Sequence, residues 1–290
     1  MEEMAAAMTD STAPDTGDAI ARETFDESWL ATPIDTSTAS IARVYDYVLG
    51  GKDNFAVDRV PGDAFLSIEG AASMPFDNRF FIKRVVRFLV AEAGIDQIID
   101  IGSGLPTSSN VHEFAREANP GARVVYVDND PIVLAHGRAL LDDSGATTVI
   151  TADLLEPEGI FTNPDTLRLI DFERPVGVLI ASVLHHLHDH QNPVAVAAAI
   201  RDRVPSGSYL AIANFHDSGD PRAREIEKAL LDKGLGTGRF RTWPDQRRYF
   251  HGLELVDPGL VPVNEWRPDD ETPADSPVHH LYIGGVGRKP

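Results

Sequence analysis

The sequence feature that most constrains the fold is the segment from Ile98 to Gly104, which reads IIDIGSG. Its apolar run is typical of a strand buried within a parallel sheet. The glycines after it let the chain bend sharply into a helix and let a ligand approach the backbone, because glycine has no Cβ. A strand, a glycine turn and a helix in this order predict a ligand site at the carboxyl end of a parallel sheet.

The rest of the chain alternates strands with helices. We predict strands at 97–101, 123–127, 147–152, 176–181 and 208–213. Helices are predicted at 107–118, 131–141, 193–204 and 221–233, the last two capped by Asn192 and Asp220. This alternation implies right-handed crossovers and an α/β fold with a doubly wound, mainly parallel sheet. At the carboxyl terminus, 253–256 and 280–286 are predicted to form an antiparallel hairpin that closes the sheet.

The amino-terminal part divides at about residue 40. Residues 1–40 carry nine Asp or Glu against the single Arg22, and we expect a disordered acidic tail with a short amphipathic piece at 22–30. Residues 41–94 are predicted to form a helical cap, with helices at 41–49, 61–72 and 78–93. Gly50 and Gly51 end the first of these helices. Residues 95–290 are predicted to form the ligand-binding domain.

Charge and composition narrow the function classes. The net charge of −19 argues against nonspecific binding to nucleic acid or to anionic lipid. The chain has no cysteine, so a disulfide framework, a thiolate nucleophile and a thiolate zinc site are excluded. It has no apolar run of the roughly 20 residues that a membrane span needs, nor the basic start of a signal peptide. We therefore expect a cytoplasmic protein; its oligomeric state stays open.

Acidic residues end the first three predicted strands. Asp100 could hold an ammonium group, directly or through water. Asp128 could accept hydrogen bonds from both hydroxyls of a ribose, and Asp153 could accept one from an adenine amine. Each acid taken alone is more often a helix cap or part of a tight turn. Their order along the chain favours a nucleoside-bearing cofactor.

The cofactor can be narrowed further at position 107. A dinucleotide fingerprint, G-x-G-x-x-G, would need glycine there to pack the helix closely beneath a pyrophosphate. This chain has Thr107, which argues against NAD. An adenosyl cofactor without phosphates, such as S-adenosylmethionine, does not need that glycine.

The chain resembles class I S-adenosylmethionine-dependent methyltransferases, and more closely the bacterial S-adenosyl methyltransferase family, formerly a domain of unknown function. The resemblance runs from about residue 41 to the end. It rests on four segments: IARVYDYVLGGKDNFAVDR at 41–59, NRFFIKRVVRFL at 78–89, DIGSGLPT at 100–107 and DNDPIV at 128–133. Pro106 departs from the class pattern, since many members have a third glycine there. The resemblance implies a seven-stranded, Rossmann-like sheet and S-adenosylmethionine as cofactor.

The resemblance also implies where the cofactor binds. Its methionine part would lie along Gly102, Ser103 and Gly104, and its ribose and adenine along Asp128, Asn129, Asp153 and Leu154. Ser182 and Val183 would lie beside the transferable methyl group. A lid over the cofactor would include Tyr45, Tyr47, Gly50 and Asn54, where a tyrosine ring would attract the sulfonium cation. Ordinary helix packing is the alternative role for the tyrosines.

A histidine cluster follows the fourth predicted strand. His185 and His186 could serve as a general base toward a substrate hydroxyl or amine, or could form a polar loop near the site. Methyl transfer needs no base when the nucleophile is already deprotonated. Although His188 and His190 follow, their spacing does not favour zinc, and we expect no metal site.

Basic residues form a stripe on the third predicted helix. Arg79, Lys83 and Arg87 recur every four residues, which is typical of a solvated helix face. Alternatively, the stripe docks an acidic substrate, or Arg79 binds the cofactor carboxylate. The glycine-rich segment 234–241 could be a substrate gate or a surface connection.

Three functions remain compatible with the sequence. The first is an S-adenosylmethionine-dependent methyltransferase that acts on a small molecule. The second is a non-catalytic sensor that binds the cofactor and reports to a partner. The third, an NAD(P)-dependent oxidoreductase, is disfavoured because the glycine at 107 and a Tyr-x-x-x-Lys pair are both missing.

Overall fold

The computed structural model describes residues 34–106, 110–140, 145–273 and 275–290. Most of the expected acidic tail, including the amphipathic piece predicted at 22–30, lies outside the described residues. Residues 34–40 have neither helix nor strand. The described residues from 34 onward form one unit, so the boundary between cap and sheet at residue 94 stays a prediction.

One mixed sheet carries the fold, and its first five strands confirm the predicted parallel arrangement. Its order is β3-β2-β1-β4-β5-β8-β6, and β7 pairs with β8 beside this path. Strands β1 to β5 run parallel, and β8 runs antiparallel to β5, β6 and β7. The strands are β1 (Gln97–Ile101), β2 (Arg123–Asp128), β3 (Thr147–Thr151), β4 (Gly177–Ala181), β5 (Tyr209–Phe215), β6 (Glu254–Leu255), β7 (Val261–Pro262) and β8 (Tyr282–Arg288).

Helices cover both faces of the sheet, which confirms the doubly wound prediction. Side chains alternate along β1, so that Ile98 packs into one hydrophobic cluster and Ile99 into the other. The helices are α1 (Ile41–Val48), α2 (Ala56–Leu66), α3 (Met74–Arg87), α4 (Val111–Ala118), α5 (Pro131–Leu140), α6 (Glu158–Phe161), α7 (Pro164–Leu169), α8 (Pro193–Arg203), α9 (Pro221–Asp232) and α10 (Trp243–Arg247).

Two helices of the cap differ from their predicted bounds. Helix α2 begins at Ala56 because Asp58 accepts a hydrogen bond from the backbone N–H of Phe55 (2.8 Å), so Pro61 lies inside the helix rather than at its start. Helix α3 begins at Met74, before the predicted Asn78, and its α-helical part ends at Arg87. A π-helical turn, Phe88–Glu92, then carries the chain toward β1.

The carboxyl-terminal strands pair antiparallel, as predicted, and they include one strand, β7, that was not predicted. β8 lies between β5 and β6, and the predicted hairpin partner shrinks to the two residues of β6. β7 was not predicted, because a two-residue strand containing Pro262 has no alternating pattern. The caps predicted for α8 and α9 are confirmed, since Asn192 accepts from the N–H of Ala195 and Asp220 from that of Arg222.

Candidate functional site

The carboxyl ends of β1, β2 and β3 meet at one edge of the sheet. Their parallel register pairs Ile101 with Val127 and Asp128 with Thr151, so the residues that follow these strands are neighbours. Asp100 near the end of β1, Asp128 at the end of β2 and Asp153 after β3 therefore lie along the same edge of the sheet. The glycine turn after β1 forms the floor of this edge.

The glycine turn is held by β2 and needs glycine at two positions. Gly102 and Ser103 both donate to the carbonyl of Val127, at 2.7 and 3.1 Å. Gly102 has φ +70°, and a Cβ there would lie 2.4 Å from a methyl of Val183. Gly104 has φ +66°, and a Cβ there would meet no atom within 4 Å. The turn thus packs tightly on one side and leaves open space on the other.

Asp128 ties the end of β2 to the glycine turn. Its carboxylate accepts hydrogen bonds from the N–H of Gly104 (2.8 Å) and from that of Asp130 (3.0 Å). Burial raises the pKa of this carboxyl, and these backbone N–H groups oppose the rise. The same carboxylate thus shapes the turn and lies where a ribose would need an acceptor.

Asp100 and Arg79 face each other across the cleft that Ser103 and Gly104 also line. Burial raises the pKa of Asp100 to about 7, although the attraction of Arg79 acts in the opposite direction. A carboxyl poised near neutrality becomes a stronger binding group when a cation arrives. The pair offers one negative and one positive group to a zwitterionic ligand.

The residues after β2 and β3 are more exposed than the glycine turn. Asn129 is exposed beside Asp128, and Asp153 is exposed while accepting the N–H of Leu155 (2.8 Å) in a local turn. Leu154 is buried against the sheet. The proposed roles of these three residues toward an adenine stay proposals.

Helix α1 lies over the glycine turn. Ala42 packs in a small cluster with Leu105, Ile132 and Val133, and the Ser40 hydroxyl donates to Asp130. Arg43 donates to the carboxylate of Asp58 (2.9 Å), and both side chains are almost wholly buried. This pair joins α1 to α2 within the cap. Arg43 also lies 3.9 Å from the carboxylate of Asp130, so the cap contacts the residues after β1 and β2 through an apolar cluster and a longer ion pair.

The four predicted lid residues on and after α1 separate in the structure. Tyr45 is half-buried, and its hydroxyl donates to the carbonyl of Pro75 (3.1 Å) and accepts from Asn78 (3.1 Å). Tyr47 lies against Gly62 on α2 and donates to Asp63 (2.6 Å), and Gly50 ends α1 with φ +83°.

Asn54 holds the loop that follows α1 in shape. Its amide donates to Asp46 (2.9 Å) and to the carbonyl of Gly51 (3.1 Å), and its oxygen accepts from Arg59 (2.9 Å). These bonds favour a turn-forming role for Asn54. Among the four lid candidates, Tyr45 thus has the geometry that best suits direct contact with a ligand, because it lines the second cleft described next.

A second, mainly apolar cleft opens beside Ser182, between α1, α2 and the ends of β4 and β5. Ser182 has φ +70°, a left-handed conformation that is costly outside glycine, and its N–H donates to the carbonyl of Ala213 (2.9 Å). Val183 contacts Gly102 of the glycine turn. The turn after β4 is therefore the wall between the two clefts.

His185 and His186 both line the second cleft, and they differ in their partners. The N–H of Phe215 donates to Nδ1 of His185 (3.4 Å), and the two rings stack at 3.8 Å. Nδ1 of His186 is 2.9 Å from the hydroxyl of Thr237. Burial lowers the pKa of His185 well below its ordinary value and that of His186 to about 3.

Both imidazoles are therefore neutral at pH 7. His185 carries its proton on Nε2, because Nδ1 is an acceptor, so in this tautomer it is a donor toward the cleft and not a base. His186 is a weak base at such a pKa. The structure thus supports the cleft-lining alternative for this pair more than the general base.

The basic stripe divides in the structure. Lys83 pairs with Glu271 (2.5 Å) and Arg87 with Asp269 (2.9 Å), so both bind the loop before β8. Of the three, Arg79 lines the first cleft. The solvated-face alternative suits the half-exposed Arg87 better than Lys83, whose side chain is largely covered.

The sequence analysis did not link two residues to the second cleft: one supports the histidine turn, and the other lines the cleft. Arg241 donates to the carbonyls of Leu184 (3.1 Å) and Leu187 (2.6 Å), and so holds the turn that carries both histidines. Tyr282, at the start of β8, lines the same cleft from the far end of the chain. No local sequence pattern links Arg241 or Tyr282 to the two histidines.

We expect the two glycines of the turn to differ in what they contribute to stability. Gly102→Ala adds backbone strain and an overlap with Val183, so the free energy of unfolding should fall by about 2–4 kcal/mol. Gly104→Ala adds strain alone and should cost about 1–2 kcal/mol. Urea unfolding of the two variants measures the difference. Equal losses would contradict the tight contact at Gly102.

The described residues contain neither a metal-binding cluster nor a membrane-spanning helix. Among the described residues, no group of three or more His, Asp or Glu has metal-binding geometry. Within the same residues, no helix is long and apolar enough to cross a membrane.

Comparisons with known proteins agree with the fold. The family described as S-adenosyl methyltransferase matches residues 27–290. A crystal structure of a putative methyltransferase from Thermobifida fusca YX is 45% identical, with a TM-score of 0.83, covering 88% of this chain and 97% of its own. A DUF574 family protein from Streptomyces avermitilis MA-4680 is 37% identical, with a TM-score of 0.83, and covers 89% and 100%. A search of the curated proteins found no match.

Proposed function

The chain belongs to the S-adenosyl methyltransferase family, whose cofactor is S-adenosylmethionine, and we propose that it transfers the methyl group of this cofactor to a small molecule. The observation that carries the proposal is the joint position of two clefts. One is lined by Asp100, Ser103 and Gly104, with Asp128 bound to the N–H of Gly104 beside it, and the other is an apolar cleft beside Ser182. A donor and an acceptor could meet at that wall.

The residues of the first cleft fit the cofactor chemically. Ser103 has a buried hydroxyl without a hydrogen-bond partner in the described residues, and Gly104 leaves open space above its Cα. Asp100 would bind the ammonium group of the methionine part, and Arg79 its carboxylate. Asp128 would accept the ribose hydroxyls, with Asn129, Asp153 and Leu154 along the adenine.

When bound, S-adenosylmethionine supplies a methyl group on a positively charged sulfur, which makes that carbon electrophilic. The protein's own part is chiefly positioning, since methyl transfer needs the acceptor atom in line with the methyl group. Ser182 and Val183 would hold the boundary at which the two molecules touch. The half-buried ring of Tyr45 would favour the sulfonium cation.

The first test is calorimetric titration of the full chain with S-adenosylmethionine and with S-adenosylhomocysteine. We expect micromolar binding of both. In Gly104→Ala, the added methyl group would occupy the open space, and Kd should rise at least about tenfold while the variant stays folded. A wild-type protein that binds neither compound would contradict the proposal.

Binding should also release protons, because Asp100 is partly protonated near neutrality. Between about pH 4 and pH 7, Asp100 is protonated in the folded protein and ionised in the unfolded chain, because folding raises its pKa. The contribution of Asp100 to the free energy of unfolding therefore falls as pH rises through that range. A cationic ligand favours the ionised form and lowers this pKa. At pH 6.5, we expect the binding enthalpy to vary with the ionisation enthalpy of the buffer.

Asp100→Asn is the matched control for proton release, since it keeps the shape and removes the titration. The buffer dependence should disappear in this variant, and binding should weaken. The same buffer dependence in Asp100→Asn and in wild type would assign the protons to another group.

A further inference from the structure

The second cleft has the chemistry of a site for an uncharged molecule. It encloses about 450 Å³, including space open to solvent, and its walls come from both the helical cap and the sheet. Val44 and Phe65 line it from the cap, and Phe215 and Tyr282 from the strands. In the described part of the chain, its lining contains no Asp, Glu, Lys or Arg. A ligand with a net charge would be buried there without a partner.

Two buried polar atoms point to what the ligand must carry. Nε2 of His185 and the hydroxyl of Tyr282 have no partner with full hydrogen-bond geometry in the described residues, although the side chain of Ser182 lies near the Tyr282 hydroxyl. Each of the two side chains is only 1% exposed. Buried polar groups are normally paired, so two unpaired atoms in one cleft indicate a missing partner. Because Nδ1 of His185 accepts the N–H of Phe215, Nε2 carries a proton and donates.

The turn that carries His185 is fixed from behind. The N–H of Arg239 donates to the carbonyl of His185 (2.7 Å), and that of His185 donates to Asn214 (3.1 Å). Stacking on Phe215 fixes the ring plane. The donor therefore has a defined direction before any ligand binds, which reduces the entropy lost on binding.

We propose that this cleft binds the methyl acceptor, and that the acceptor is a small, uncharged, mainly apolar molecule whose oxygen accepts a hydrogen bond from Nε2 of His185. Tyr282 donates to the same polar end of the ligand. The assignment of the ligand as methyl acceptor rests on the proposed function. The assignment of its chemical class rests on the cleft alone.

Three probes of one shape test the chemical class. They are 4-fluoroacetophenone, 4-fluoro-α-methylstyrene and 4-fluorobenzoate, which place a carbonyl, a methylene group and a carboxylate at the same position. Their dissociation constants follow from fluorine NMR titrations of the full chain, with and without saturating S-adenosylhomocysteine. We expect the ketone to bind about fivefold more tightly than the alkene, and at least about tenfold more tightly than the carboxylate.

Two variants assign the preference to the named donors. His185→Phe keeps an aromatic ring for stacking and removes Nε2, so the ketone should lose its advantage over the alkene. Tyr282→Phe removes one hydroxyl and should weaken the ketone about two- to fivefold. In both variants, alkene affinity should stay within about twofold of wild type, a readout that general damage to the cleft would change. Melting curves check that each variant is folded.

Equal affinity of ketone and alkene for wild type, tighter binding of the carboxylate, or no binding of any probe at millimolar concentration would overturn the proposal. So would an unchanged ketone preference in His185→Phe, if that variant folds, or in Tyr282→Phe. Loss of S-adenosylhomocysteine binding alone would overturn the proposed function and leave the chemical class standing. If S-adenosylhomocysteine binds but the ketone is not preferred, the proposed chemical class is wrong and the proposed function stands.

Discussion

Asp128→Ala is expected to raise the Kd for S-adenosylmethionine by at least about 100-fold. The carboxylate accepts two backbone N–H groups, from Gly104 and Asp130, and it is the proposed acceptor for the ribose. Hydrogen bonds to a charged group contribute about 1.5–3 kcal/mol each, so losing the ribose contacts and the order of the turn together accounts for this factor. Calorimetric titration of the variant beside wild type measures it.

Two matched variants separate the ribose contact from the shape of the turn. Asp128→Asn keeps the size of the side chain but replaces one acceptor with a donor, so we expect a loss between those of wild type and alanine. Asp153→Asn changes an exposed acid at the end of the next strand and should cost less than about tenfold. If Asp128→Ala binds within threefold of wild type, the strand-end acid shapes the turn without contacting the cofactor.

The parts of the fold that could be predicted are those with a local signal. Strands β1 to β5 are apolar runs buried on both faces, and their helices begin at residues such as Asn192 and Asp220 that cap the first turn. The glycine turn and the acid at the end of β2 follow from the same local reasoning. Together these features predict a ligand site at the edge of the sheet where the first cleft lies.

The second cleft could not be predicted, because its residues come from distant parts of the chain. Tyr282 reaches His185 only because β8 inserts beside β5, and Arg241 reaches the histidine turn through a loop without regular pattern. The tautomer of His185 depends on a hydrogen bond from the backbone of β5. Long-range packing of this kind leaves no periodic trace in a sequence.

The bounds of the cap helices failed for a related reason. Proline favours the first turn of a helix, and this preference placed the start of α2 at Pro61. Asp58 overrides it, because its carboxylate binds the backbone N–H groups of Ser40 (2.9 Å) and Phe55 (2.8 Å) as well as Arg43. The three partners of this buried acid come from separate positions, so no local sequence pattern marks it as the start of a helix.

Asp58→Ala is therefore expected to lower the free energy of unfolding by about 3–5 kcal/mol. The variant leaves the guanidinium of Arg43, which is 3% exposed, buried without its carboxylate, and removing one partner of a buried pair has a cost in this range. Arg43 also lies 3.9 Å from Asp130, which follows β2, so the loss of Asp58 should disturb the contact of the cap with the sheet and weaken cofactor binding as well. Urea unfolding monitored by far-ultraviolet circular dichroism gives the value.

Asp63→Ala is the control on the same helix, because Asp63 is exposed and accepts a hydrogen bond from Tyr47 alone among the described residues. It should cost less than about 1 kcal/mol. The double variant Arg43→Leu/Asp58→Leu removes both charges and should be more stable than Asp58→Ala, since no charge then stays buried unpaired. If Asp58→Ala is no less stable than Asp63→Ala, the buried pair does not hold the cap, and the apolar contact of Ala42 with Leu105 must carry that role.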